Sequence, residues 1–296
     1  MKNTIFTGSG VAIVTPMNKD GSINYEEFGK LIEFQIQNNT DAIIACGTTG
    51  ESATMSHEEH CDVIKYAVDK VNKRVPVIAG TGSNDTAYAV ELSKAAEQLG
   101  ADALLIVTPY YNKASQKGLI KHYLTIADSV NLPIILYNVP SRTGCGFQVD
   151  TYKELAKHKN ICAIKEANGS ISSVAETLAA CGNDIDVYSG NDDQTVPIMS
   201  LGGKGVISVF ANVMPQEMHD ITAAALQGDF KKASELQLKY LELMNTLFID
   251  VNPIPVKEAL NLMGFDCGEC RMPLCDMSDA NKEKLVNCMK KYNLVK

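Results

Sequence analysis

Ile161-Cys162-Ala163-Ile164-Lys165-Glu166 is an apolar run that ends in two charges and is followed by the turn-prone pair Asn168-Gly169. It reads as a buried strand, because its apolar residues do not alternate with polar ones, as in parallel strands covered on both faces. A lysine closing such a strand is costly. Burial disfavours the ammonium and lowers its pKa, and the free amine attacks carbonyl carbon. The position suits a Schiff-base lysine; the plainer alternative is a side chain that reaches solvent or pairs with Glu166.

Seven similar runs surround the core of this one, Cys162–Lys165. They are Gly10–Val14, Ala42–Cys46, Val75–Ala79, Ala103–Val107, Pro133–Tyr137, Asp186–Ser189 and Gly205–Ser208. Amphipathic stretches long enough for crossover helices separate them, so the alternation predicts an α/β chain folded as a (β/α)8 TIM barrel. Such barrels run about 250 residues as one unit, which the 296 residues accommodate with an appendage. Asn24 with Glu27, and Ser56 with Glu59, have capping-box spacing and mark two helix starts. From residue 229 the strand pattern stops, which predicts a barrel over 1–228 and a helical C-terminal region over 229–296. Asn252-Pro253-Ile254-Pro255 must interrupt the helices there.

Composition narrows the partners. The chain is 45% hydrophobic, enough for a large core, and its net charge of −8 repels phosphate backbones and anionic lipids. Neither nucleic acid nor membrane is an expected partner. No apolar stretch reaches the roughly 20 residues of a membrane span. Met1-Lys2-Asn3-Thr4-Ile5-Phe6 lacks the apolar region of a signal peptide, so a cytoplasmic location is expected. Nine cysteines, an odd number, fit a reducing compartment. Cys267-Gly-Glu-Cys270 has C-x-x-C spacing, but Cys275 and Cys288 supply no second well-spaced pair. In His57-Glu-Glu-His60 the histidines are three apart where H-E-x-x-H needs four. Neither a metal nor a cofactor is expected.

In a barrel the chemistry gathers at the carboxyl ends of the strands. There the sequence places Gly47-Thr48-Thr49-Gly50-Glu51-Ser52, a loop whose amides and hydroxyls suit a carboxylate or a proton relay. It also places Tyr110-Tyr111 after strand four and Tyr137-Asn138-Val139-Pro140-Ser141-Arg142-Thr143-Gly144 after strand five. Tyrosine hydroxyls donate and accept protons, and a guanidinium fork binds a carboxylate. Arg142 is one of only three arginines, with Arg74 and Arg271, among 27 basic residues. The loop after strand eight, Val209-Phe210-Ala211-Asn212, is not glycine-rich, which disfavours a phosphorylated substrate.

Together these motifs, with Lys165-Glu166 and Gly205-Val-Ile-Ser208, resemble in order and spacing the dihydrodipicolinate synthase (4-hydroxy-tetrahydrodipicolinate synthase) family over nearly the whole chain. The lysine and the strand-five tyrosine are shared with a wider superfamily that includes N-acetylneuraminate lyase and 2-keto-3-deoxy sugar acid aldolases. The resemblance implies a Schiff-base lyase of diaminopimelate and lysine biosynthesis, with pyruvate and L-aspartate 4-semialdehyde as substrates. Lys165 would form the imine, and Tyr137, Thr48 and Tyr111 would relay protons. Thr49, Gly190 and Ile207 would hold pyruvate, and Arg142 the aldehyde's carboxylate. The family's homotetramer is a dimer of dimers in which Tyr111 would enter the neighbouring subunit. Ser52, Ala53, His57, His60, Asn84, Tyr88 and Tyr110 match the family's lysine-inhibition pocket. Tyr88, however, stands where lysine-sensitive bacterial members carry glutamate, so weak or absent inhibition is expected. The rival readings are a sister sugar-acid aldolase and a non-catalytic barrel that senses a metabolite.

Overall fold

The structure, a computed structural model, describes residues 4–296, so Met1–Asn3 of the N-terminal reading lie outside the described residues. Eight strands close into a parallel barrel in chain order: β1 (Gly8–Ala12), β2 (Ala42–Ala45), β3 (Val77–Gly80), β4 (Ala103–Val107), β5 (Ile134–Asn138), β6 (Ile161–Glu166), β7 (Asp186–Ser189) and β8 (Gly205–Ser208). β1 pairs with β8 and shuts the ring. The first strand begins two residues before its sequence-based bounds, because Gly8 and Ser9 already pair with Gly205 and Val206. At its far end the Val14 amide turns to the Asn212 side chain.

Side chains alternate across each strand, so every strand feeds two cores. Inside the ring lie Ala12, Ile44, Ile78, Leu105, Ile135, Tyr137, Ala163, Tyr188 and Ile207. Outside, Ile43, Leu104, Ile106, Ile134, Leu136, Ile164 and Val187 pack against the helices. This double burial is why the strands carry no polar alternation.

The surrounding helices are α1 (Tyr25–Gln37), α2 (His57–Val71), α3 (Thr86–Gln98), α4 (Gln116–Ser129), the short α5 (Pro140–Thr143), α6 (Val149–Leu155), α7 (Ile171–Cys181), α8 (Thr195–Ser200) and α9 (Pro215–Leu226). Ser56 makes the full reciprocal box with Glu59 at the start of α2. Asn24 caps α1 in one direction only. Glu27 spends its carboxylate on Lys30 and the Asp266 amide instead of returning it to the cap.

Three further helices follow: α10 (Phe230–Thr246), α11 (Ile254–Leu262) and α12 (Asp279–Lys291). The prolines sit where α10 has ended and α11 begins, in first-turn positions that need no amide donor. No helix among the described residues is long and apolar enough to cross a membrane.

The C-terminal segment is bolted to the barrel mouth by charge. Lys257 of α11, buried with its partner, donates to Glu51 Oε1 at 2.8 Å and to the Glu269 carbonyl at 2.7 Å. Glu51 Oε2 accepts the Arg271 amide, and Glu51 itself holds a left-handed backbone at φ 57°. Removing one partner of such a pair strands the other charge in a dry site, a loss of about 3–5 kcal/mol. Lys257→Met is therefore expected to lower unfolding free energy by about 3 kcal/mol or more. A denaturant titration, reading the shift in midpoint at constant slope, checks this.

Candidate active site at the carboxyl end of the barrel

Alternation along β6 decides where its lysine points. Ala163 faces inward, Ile164 outward, Lys165 inward and Glu166 outward. Lys165 is 6% exposed, and its Nζ stands 4.2 Å from the centroid of the Tyr137 ring. In register its neighbours are Tyr137 on β5 and Tyr188 on β7. Glu166 is no partner to it. That carboxylate lies on the opposite face, accepting from Asn138 Nδ2 at 2.9 and 3.1 Å, the Tyr152 hydroxyl at 2.9 Å and the Asn168 amide at 2.9 Å. Burial pushes its pKa up, against those hydrogen bonds.

The β6–β7 contact beside the lysine depends on glycine. The Gly190 amide donates to the Glu166 carbonyl at 2.7 Å, and a Cβ there would meet Ala167 Cβ at 2.8 Å and that carbonyl oxygen at 3.0 Å. Ile207 lines the barrel interior from β8. Asp192, just past β7, is buried and accepts from the Phe210 and Val209 amides. Burial raises its pKa, opposed first by a hydrogen bond from the Ser208 side chain, then by those two amides and by nearby Lys165.

The β2 loop supplies the opposite wall. Gly47 and Thr48 carbonyls accept from the Gly50 and Glu51 amides to form a turn. The Thr48 and Thr49 amides take no partner among the described residues, an arrangement that suits a carboxylate. Thr48 and Tyr137 line one small cavity, and Thr48 also lines a neighbouring cavity of about 350 Å³ with Arg142 and Tyr110. Thr49 is buried, with its hydroxyl accepting from Asn252 Nδ2 at 3.0 Å. Of the three arginines, Arg74 pairs with Glu33 and Arg271 with Glu59. Among the described residues Arg142 alone of the three has no carboxylate; its Nη2 donates to the Asn252 carbonyl at 3.1 Å.

The larger cavity also gathers Ser52, Ala53, His60 and Tyr88. His60 Nε2 donates to the Gly80 carbonyl at 2.8 Å, and burial lowers its pKa. His57 lies against the Tyr88 ring at 5.9 Å, and the Asn84 carbonyl accepts from Asn112 Nδ2 at 2.9 Å, outside the cavity lining. Tyr111 stands apart from Lys165. It is 89% exposed at φ 72°, so within one chain it does not join Thr48 and Tyr137. Among the described residues no group of three or more His, Cys, Asp or Glu side chains could hold a metal. Burial pushes the Cys267 and Cys270 thiols up to about 12.

A closed parallel barrel with an inward lysine at the end of its sixth strand defines a class I, aldolase-type lyase. The chain belongs to the dihydrodipicolinate synthetase family, whose profile it matches over residues 5–292. It is 56% identical over 295 residues to the 4-hydroxy-tetrahydrodipicolinate synthase of Acetivibrio thermocellus, covering all of both chains. To the Clostridium perfringens enzyme of the same name it is also 56% identical, over 99% of this chain and all of that one. Among solved structures, the chloride-inhibited dihydrodipicolinate synthase of Acinetobacter baumannii in complex with pyruvate superposes with a TM-score of 0.97 at 47% identity, covering 99% of this chain and all of that one.

The sequence assigns no individual role to Asn252, Lys257 or Asp192, nor to Glu51 within the quoted β2 loop. Asn252 bonds to Thr49 across 203 positions, a separation no local pattern reports. Its one visible signal was an amide side chain beside a proline-made helix start.

Proposed function

We propose that the chain condenses pyruvate with L-aspartate 4-semialdehyde to 4-hydroxy-tetrahydrodipicolinate. The observation that carries this reading is the inward Lys165 amine against the Tyr137 ring, inside a family whose relatives bear that activity in their names. The Lys165 amine adds to the keto carbon of pyruvate, and loss of water gives an imine whose proton traffic falls to Tyr137, Thr48 and Tyr111. The aromatic face beside Nζ favours the cationic iminium. With its nitrogen as electron sink, the iminium releases a methyl proton to become an enamine, whose carbon attacks the aldehyde. The product's own amine then displaces Lys165 by transimination and closes the ring.

Pyruvate's carboxylate would sit on the Thr48 and Thr49 amides, with Gly190 and Ile207 shaping the pocket and Arg142 receiving the carboxylate of the aldehyde. The exposed Tyr111 supports a dimer-based tetramer in which it completes the partner subunit's relay. Nine cysteines, an odd number, fit a cytoplasmic setting. The part of the larger cavity lined by Ser52, Ala53, His60, Tyr88 and Tyr110 would be the lysine pocket, with His57 and Asn84 at its edge, and the part lined by Thr48 and Arg142 would belong to the substrate site. Tyr88 offers that pocket a phenol in place of a carboxylate, and no acidic residue lines the cavity among the described residues.

Borohydride with pyruvate is expected to add the reduced pyruvate adduct to Lys165, read by peptide mass, and to add nothing in Lys165→Ala; absence of the adduct in the parent chain refutes the reading. Turnover with L-aspartate 4-semialdehyde but not with sialic or 2-keto-3-deoxy sugar acids separates it from the sister aldolases. Tyr111→Phe and Lys165→Ala chains, each impaired, are expected on subunit exchange to exceed the mean of their separate activities, because one hybrid site regains both groups. Millimolar lysine is expected to leave the rate nearly unchanged, and strong inhibition would contradict the role given to Tyr88.

A further inference from the structure

Three parts of the site meet at one residue outside the barrel strands. Asn252, 5% exposed, donates through Nδ2 to the Thr49 hydroxyl at 3.0 Å, while its backbone carbonyl accepts Arg142 Nη2 at 3.1 Å. Thr49 belongs to the β2 loop, Arg142 to the short helix after β5, and Asn252 to the lead-in of α11. Two residues beyond Thr49, the same loop is held again by Lys257 of α11 through Glu51. Asn252 is itself fixed by the helix start, where the Lys257 amide donates to the Pro253 carbonyl at 3.0 Å. Its Oδ1 is buried with no hydrogen-bond partner among the described residues.

We propose that Asn252 is a positioning residue that sets the separation between the carboxylate-binding loop at Thr49 and the Arg142 guanidinium, and so fixes the length of aldehyde acid the site accepts. The proposal rests on the functional reading above, in which the two ends of that gap hold the two substrates. The Arg142 contact goes to a backbone carbonyl and survives truncation of the Asn252 side chain. What truncation removes is the bond from Nδ2 to Thr49 that locates this carbonyl relative to the loop. The arginine then stays bound to a carbonyl that has drifted, and the aldehyde's far carboxylate meets it out of place.

The test measures KM and kcat for both substrates, with borohydride trapping of pyruvate, on the full chain as Asn252→Ala, Thr49→Val and the double variant. Thr49→Val is nearly isosteric and removes only the hydroxyl acceptor, so it guards against a folding defect in Asn252→Ala. Each single variant should raise the aldehyde KM about three- to ten-fold, the effect of one lost hydrogen bond of this class, with a smaller change in kcat. The double variant should cost no more than the larger single. A merely structural role would lower the active fraction and leave KM unmoved. An aldehyde KM within twofold of the parent in either single variant, or full multiplication of the two effects in the double, overturns the proposal. If the parent itself fails to trap pyruvate, the functional reading falls and this inference with it; if the parent traps and turns over while the variants' KM values stay put, only the inference falls.

Discussion

The whole arrangement depends on the register of one strand within a closed ring. With a period of two, β6 can present either Lys165 or Glu166 to the barrel interior, and a slip of one residue would exchange them. Pairing on both sides removes that freedom: Tyr137 and Tyr188 flank Lys165 in register. Asn138 and Ser189 flank Glu166. Because the ring is closed, neither neighbour can shift without moving the other, and the amine is fixed by backbone geometry and not by a salt bridge.

Glu166 on the outer face completes the constraint. Its oxygens accept bonds from three groups on β5, α6 and the loop that follows β6. Burial raises its pKa while these donors oppose the shift. A carboxylate so thoroughly engaged has nothing left for Lys165, which removes the plainest alternative for two adjacent opposite charges. The strand end is thereby held on its outer side and presents the Lys165 amine on its inner one, and Gly190 allows β7 to approach closely enough to keep it so.

Much of this was legible in the sequence because it is written in local periods. The bounds of β4, β7 and β8 came directly from apolar runs, whereas the starts of β1 and β3 were each misplaced by two residues; that of β1 is set by pairing with Gly205 and not by its own hydrophobicity. That Lys165, Tyr137, Thr48 and Arg142 gather at one rim was visible because strand ends in a barrel point the same way. Less legible was anything made by long-range bonds between ordinary polar residues. Asn24 showed the spacing of a reciprocal cap, yet the Asp266 amide, 239 residues from Glu27, claims the Glu27 carboxylate that would have closed it. Asn252 and Lys257 belonged to a segment whose pattern announced only a helix and its interruption.

The C-terminal region consequently is part of the site and not an attachment to it. A buried pair such as Lys257 and Glu51 adds little net stability over apolar residues of the same volume, so its value lies in direction. Apolar packing would hold α11 near the β2 loop while tolerating a sliding error. The Lys257 ammonium instead must satisfy Glu51 and the Glu269 carbonyl together, and Glu51 must also accept the Arg271 amide. Arg271 in turn binds Glu59, the residue that closes the α2 capping box. Each bond has one geometry, and their common solution fixes the loop that carries Thr48 and Thr49. The barrel alone would place the amine; this polar bracing orients the loop that faces it.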